Sequence, residues 1–145
     1  MKKGCLIVVL GFVGIFVLLI VGIKIWGNLN KGKFDALDNQ GIEEGVKFGQ
    51  SSESVGCFRE ASLRIAKRAN AAPSLDKAMS LRQDLLFLQK CLESAKYSSG
   101  FCDGVPKQAG IKEFGWAREK CTDSPNHSDC LQLWSQVINF CAKRK

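Results

Sequence analysis

An uninterrupted apolar run near the amino terminus constrains this chain more than any other feature of its sequence. Residues 5–23 read CLIVVLGFVGIFVLLIVGI, which is 19 residues without a charge. At a rise of about 1.5 Å per residue, a helix of that length matches the roughly 30 Å hydrocarbon core of a bilayer. Only a helix satisfies its own backbone hydrogen bonds in lipid. The run therefore predicts a transmembrane anchor over residues 1–26, in contact with the membrane through residues 5–23, with Trp26 at the headgroup edge.

A cleaved signal peptide is the alternative interpretation of the same segment. Lys2 and Lys3 favour it, whereas the length of the apolar run and the lack of a small-x-small cleavage site after it favour an anchor. The Met-Lys-Lys start indicates a bacterial host, so the predicted location is the bacterial inner membrane. Gly4, Gly11 and Gly22 share one line of this helix, which leaves two alternatives, self-association or an ordinary glycine-containing anchor.

The cysteines indicate the direction of the predicted anchor. Lysines flank the apolar run on both sides, so the positive-inside rule does not favour either orientation. Six of the seven cysteines follow the apolar run, at Cys57, Cys91, Cys102, Cys121, Cys130 and Cys141. Such a density in a small domain is typical of an oxidising compartment. We therefore predict a short cytoplasmic amino terminus and a carboxyl-terminal domain in the periplasm or outside the cell.

Helix-hairpin geometry ranks the fifteen possible disulfide connectivities, although the sequence alone does not choose among them. Cys57 and Cys91 lie 17 residues on either side of Ser74, at a predicted turn. Cys121 and Cys130 flank a second predicted turn in the same way. The favoured pairs are Cys57 with Cys91 and Cys121 with Cys130, which leaves Cys102 to pair with Cys141.

Apolar periodicity and turn residues predict an all-α fold, with the transmembrane helix followed by a small disulfide-braced bundle of three to four helices. Residues 27–40 carry Gly, Asn and Lys with little periodicity, which is typical of a linker. The extracytoplasmic helical domain is predicted over residues 41–145. The expected helices within it cover residues 41–71, 75–96, 111–121 and 129–143.

Glycines give the first predicted helix an unusual face, because Gly41, Gly45 and Gly49 lie on one side of it. Each costs a helix about 1 kcal/mol relative to alanine, so either this part is irregular or something packs very close to it. Packing within the domain and a groove for a partner both remain open. Gly45 and Gly49 are accordingly candidate partner contacts, and Phe101 and Trp116 are two more, with core packing as their alternative.

Charge and motif content argue against several functional classes. The net charge of +7 arises mainly from lysines and arginines at the two ends, since residues 34–142 hold 13 basic and 14 acidic residues. That balance does not indicate a nucleic-acid binder. The cysteine spacings lack the close ligand pairs of zinc sites, and His127 is the single histidine. No cofactor, metal site or catalytic residue is predicted, and the chain is not expected to be an enzyme.

Two functions remain compatible with these features. The first is a membrane-anchored interaction or assembly protein of the cell envelope, which uses its disulfide-stabilised helical domain to contact another protein. The alternative is a module that binds a small ligand or an envelope component, and it requires a sizeable apolar pocket between the helices.

Overall fold

Helices make up all the regular secondary structure of the described residues, which are 2–68, 70–107 and 111–144 of a computed structural model. Side chains are described from residue 13, except at 29–30 and 111–114, so Gly4, Gly11 and much of the apolar run lie outside that description. The helices are α1 (Lys2–Gln50), α2 (Ser54–Lys67), α3 (Leu75–Ser94), α4 (Ile111–Lys120) and α5 (His127–Lys143). The chain forms two compact units, Met1–Ala36 and Leu37–Lys145. The all-helical, disulfide-braced fold class is confirmed.

The segment predicted as a linker, residues 27–40, is helical and has none of the irregular structure expected from its Gly, Asn and Lys content. Residues 27–40 belong to α1, which includes both Gly27 and Gly32. Helix propagation adds one hydrogen bond for each residue fixed, so a helix that already exists on both sides can absorb the cost of two glycines. Side-chain contacts inside the segment add to this, since the rings of Trp26 and Phe34 lie 6.2 Å apart in an edge-on arrangement.

A turn at residues 51–53 divides the single helix predicted over residues 41–71 into the end of α1 and the whole of α2. The Ser51 hydroxyl donates to the Phe48 carbonyl, a local bond that competes with continued helix. The segment after α3 then holds the turn in place, because Lys96 N–H donates to the Ser52 carbonyl and Ser54 N–H donates to the Lys96 carbonyl. Ser51 and Ser52 therefore lie at the turn where the chain reverses direction between α1 and α2.

The α2–α3 hairpin forms the centre of the domain core. Ser74, at the predicted turn, caps α3, since its hydroxyl accepts a hydrogen bond from Lys77 N–H at 3.1 Å. Helix α5 completes the core with Val137 and its neighbours. The buried members of this cluster include Cys57, Ala61, Ile65, Phe87, Leu88, Cys91, Leu92, Leu133, Val137 and Ile138. The hairpin and α5 thus provide the frame against which the remaining elements pack.

The criteria for a membrane span are met only in part by the described residues. No single helix among them is both long and apolar enough to cross a bilayer. Two helical segments on either side of a bend, Val13–Asn28 and Lys31–Gln50, meet the length and composition criteria when they are taken together.

Candidate functional site

Three disulfides link the helical domain, and they join the same pairs that hairpin geometry favours. Cys57 pairs with Cys91, Cys102 with Cys141, and Cys121 with Cys130, with Cα–Cα distances of 5.7, 5.5 and 5.8 Å. The first bridge joins α2 to α3, the second joins the loop after α3 to the end of α5, and the third closes the turn before α5. Each bridge therefore fixes the relative position of the two segments that it joins.

The three glycines of α1 lie directly against the backbone of α3. A Cβ built on Gly41, Gly45 or Gly49 would come within 2.5, 2.5 and 2.6 Å of a carbonyl oxygen, which belongs to Gln83, Phe87 and Cys91 respectively. Each pair is offset by 42 residues, so this part of α1 and α3 run parallel. We call this backbone contact the glycine seam. Only glycine permits such a close approach of two helices.

The glycine seam corrects the prediction that Gly45 and Gly49 contact a partner protein. Both residues are buried, and the surface that covers them is α3 of the same chain. The sequence pattern indicated that something packs very close to this face. It could not name the occupant, because the pairing depends on how three helices fold back on one another.

Charged and aromatic side chains border the glycine seam. The Arg64 guanidinium of α2 lies 3.9 Å from the centre of the Phe87 ring and donates to Glu44 of α1 at 2.6 Å and to Glu60 at 2.9 Å. The hydrogen bond from Arg64 lowers the pKa of Glu44. Burial opposes the charge on Arg64, but its bonds to Glu44 and Glu60 outweigh this and raise its pKa. Helix α1 is thus held by α2 as well as by α3.

A buried ion pair joins the carboxyl end of α2 to α3. Arg68 pairs with Asp84, a residue that is only 3% exposed. Burial is the main cause that lowers the pKa of Arg68, the nearby Arg64 charge adds to it, and Asp129 opposes it. A charge removed from water is costly unless it is paired, so this contact favours one register of the α2–α3 hairpin. The pair lies near the turn of the hairpin, whereas Gly49 contacts α3 at the other end. Sequence reasoning missed the pair.

Half-buried aromatic residues of α2, α4, α5 and the loop after α3 form a cluster. Trp134 lies 4.6 Å from Phe58 and 5.1 Å from Trp116, and Phe101 lies 6.1 Å from Phe140, as measured between ring centres. Phe101 and Trp116 are two of the predicted candidate partner contacts, and both pack against the domain core with part of their surface exposed. The structure therefore gives these two residues the core-packing role that was left open.

A groove of about 390 Å³ opens between α3 and α5. Three leucines of α3 form its apolar part, and glutamines of both helices form its polar part. The lining residues are Ala78, Leu81, Arg82, Leu85, Leu86, Gln89, Gln132 and Gln136. A small-ligand site was predicted to need a sizeable apolar pocket between the helices, and this open groove of mixed polarity meets that description only in part.

Possible metal ligands occur among the side chains that the structure describes. No group of three or more His, Cys, Asp or Glu side chains there is placed to hold a metal ion. The His127 ring nitrogen Nδ1 lies 3.0 Å from the Cys121 carbonyl oxygen, a contact that ties the start of α5 to the preceding turn.

No family model, curated protein or solved structure matches this chain.

Proposed function

We propose that this protein is a membrane-anchored, non-enzymatic interaction or assembly protein of the bacterial cell envelope. Its membrane contact is the apolar run of α1, and its disulfide-braced helical domain contacts a partner protein in the periplasm or outside the cell. The observation that carries the proposal is the exposure of the apolar side chains of α1.

Exposed apolar residues are present on all sides of α1 from Val13 to Trp26. Phe16, Leu18 and Ile23 are 65%, 72% and 69% exposed, and eight other large apolar residues of this stretch are between 43% and 59% exposed. Burial of each such side chain is worth about 1.5–3 kcal/mol, so a helix with this surface is stable in lipid and prone to aggregate in water. Insertion into a bilayer would bury all of these side chains at once.

Oxidised cysteines support the proposed direction of the anchor. Disulfides persist in the periplasm and outside the cell, whereas the cytosol keeps thiols reduced. The three bridges of the domain are therefore compatible with an extracytoplasmic location for residues 41–145.

Membrane attachment is tested by alkaline carbonate extraction of membranes that contain the full chain. We expect the unmodified protein to stay with the membrane and the double variant Leu18→Arg, Leu19→Arg to be released. Leu63→Arg is the matched control, because Leu63 is an exposed leucine of α2 in the helical domain. Release of the unmodified chain by carbonate, or retention of the double variant, contradicts the anchor.

The interaction role is tested by placing a photo-crosslinking amino acid at exposed positions of the domain in living cells. We expect adducts of one defined mass at a contiguous set of positions, and none at positions on the opposite face. An adduct with the mass of two copies identifies self-association. Gly14 and Gly22 of α1, with no other group within 4 Å, are then the positions at which to examine it. Absence of a discrete adduct at every position contradicts the interaction role.

The groove between α3 and α5 favours a second candidate, a module that binds a small ligand or an envelope component. Leu81, Leu85 and Leu86 offer an apolar strip beside hydrogen-bonding glutamines. Native mass spectrometry of protein extracted from its own membrane tests this candidate. A bound mass that Leu85→Arg removes and Leu63→Arg retains supports it, and an unliganded chain under the same conditions contradicts it.

A further inference from the structure

The Cys57–Cys91 bridge lies directly beneath the glycine seam. Cys91 belongs to both features, because its carbonyl oxygen faces Gly49 of α1 while its sulfur is bonded to Cys57 of α2. Both cysteines are 0% exposed. In each of the other two bridges one partner, Cys102 or Cys130, is partly exposed. Of the three disulfides, this one is therefore the least accessible to a reductant in solution.

The last part of α1, residues 37–50, docks on a surface that α2 and α3 form together. Its glycines contact the α3 backbone, Phe48 contacts the Phe87 ring at 5.7 Å, and Glu44 accepts a hydrogen bond from Arg64 of α2. Residues 37–50 contain no cysteine, so no disulfide ties them to the domain. Their docking surface needs α2 and α3 in one register, which the Cys57–Cys91 bridge fixes at the end of the hairpin nearest to Gly49.

We propose that the Cys57–Cys91 disulfide is a redox latch for the glycine seam. In the oxidised chain the seam is closed over the bridge, and in the reduced chain α1 leaves α3. The coupling is reciprocal at equilibrium, because a bridge that stabilises the closed seam is itself stabilised against reduction by the closed seam. The closed seam also limits the access of thiols to the two buried sulfurs, which slows their reduction. Closure of the seam thus depends on the compartment in which the chain meets a disulfide donor, whether or not α1 is a membrane anchor.

The chemistry of the latch is ordinary thiol–disulfide exchange. A thiolate of a dithiol reductant attacks one sulfur of the bridge, which breaks the S–S bond, forms a mixed disulfide with that cysteine and releases the other cysteine as a thiolate. The second thiol of the reductant then attacks the mixed disulfide and releases the first cysteine. Cys57 and Cys91 gain two electrons and two protons as thiols, while the dithiol is oxidised to a cyclic disulfide. Closure is the reverse reaction with a disulfide donor, such as oxidised glutathione, which leaves as two thiols.

Graded reduction of the full chain in detergent micelles tests the proposal. Dithiothreitol is added in steps, free thiols are alkylated and mapped by mass spectrometry, and amide hydrogen exchange of residues 41–49 is followed in parallel. We expect Cys57–Cys91 to be reduced at least tenfold more slowly than the other two bridges. Protection of residues 41–49 should fall in step with this bridge alone. Protection that survives its reduction, or is lost while it is intact, overturns the latch.

Two glycine variants test the reciprocal direction of the coupling. Gly45→Ala places a methyl group against the Phe87 carbonyl, whereas Gly32→Ala lies in the same helix with no other group within 4 Å. We expect reduction of Cys57–Cys91 to be at least tenfold faster in Gly45→Ala and unchanged in Gly32→Ala. Equal rates in the two variants refute the proposal. If Gly45→Ala fails to fold, the graded reduction of the unmodified chain still decides the question. A chain that stays soluble and monomeric without detergent would contradict the membrane anchor and would leave the test of the latch unaffected.

Discussion

Gly45 of α1 meets Phe87 of α3 backbone to backbone: a Cβ at position 45 would lie 2.5 Å from the Phe87 carbonyl oxygen and 3.1 Å from its Cα. Neither atom belongs to a flexible side chain, so the contact can be relieved only by separation of the two helices. It makes residues 41–49 of α1 part of the domain core, although residues 37–50 contain no cysteine.

Gly45→Ala should therefore destabilise the domain, because overpacking costs about 1–3 kcal/mol and a 2.5 Å approach to a backbone oxygen favours the upper half of that range. The gain in helix propensity from alanine, about 1 kcal/mol, offsets only part of that cost. Gly32→Ala, which meets no other group, should leave the domain's unfolding unchanged. Urea unfolding followed by tryptophan fluorescence measures both variants. A Gly45→Ala domain as stable as the unmodified one contradicts the glycine seam.

Removal of the Cys57–Cys91 bridge should cost more stability than removal of Cys121–Cys130. The two bridges span sequence separations of 34 and 9 residues, so the longer loop constrains the unfolded chain by about 1 kcal/mol more. Loss of packing at the fully buried pair adds to this difference. The double variants Cys57→Ser, Cys91→Ser and Cys121→Ser, Cys130→Ser are compared by their urea midpoints and slopes. The reverse order of stability counts against this account.

Asp84→Ala should destabilise the domain by about 3 kcal/mol, because it leaves Arg68 partly buried without its counter-ion. This is the lower end of the range for buried pairs, chosen because Arg68 retains 32% side-chain exposure. The double variant Asp84→Leu, Arg68→Met should recover most of the loss, since it removes both charges and keeps apolar volume. A double-mutant cycle of unfolding free energies makes the comparison, and additive single losses would exclude coupling between the two residues.

The Glu44–Arg64 contact should make the docking of α1 sensitive to acid. The folded state lowers the Glu44 pKa below its ordinary value of 4.5, so the stabilisation is complete above that value and is lost as pH falls through the folded pKa. The contribution is under about 1 kcal/mol, because the Glu44 side chain is 37% exposed. Glu44→Gln should therefore lower stability at pH 7 more than at pH 3. Glu43→Gln, at an exposed neighbour, is the control.

Helices α3, α4 and α5 could be predicted from local signals. Ser74 has the side chain of a helix cap and is followed by a leucine-rich periodic segment, and the turns around Pro125 lie where the chain reverses. The disulfide partners follow from the same information, since residues at equal distances from a hairpin turn face each other. The turn at residues 51–53 escaped prediction because its hydrogen bonds go to Lys96, more than forty residues away.

The sequence by itself determined that the chain is helical, that its first part is apolar, and that three cysteine pairs can form across two turns. These properties depend on composition, periodicity and spacing, which a chain carries before it folds. Only the tertiary structure decided what the glycine face of α1 is for, which charge pairs with Asp84, and that Phe101 and Trp116 pack against the core. Those answers depend on which helix comes to lie beside which, and the contacts that decide it join residues far apart in the chain.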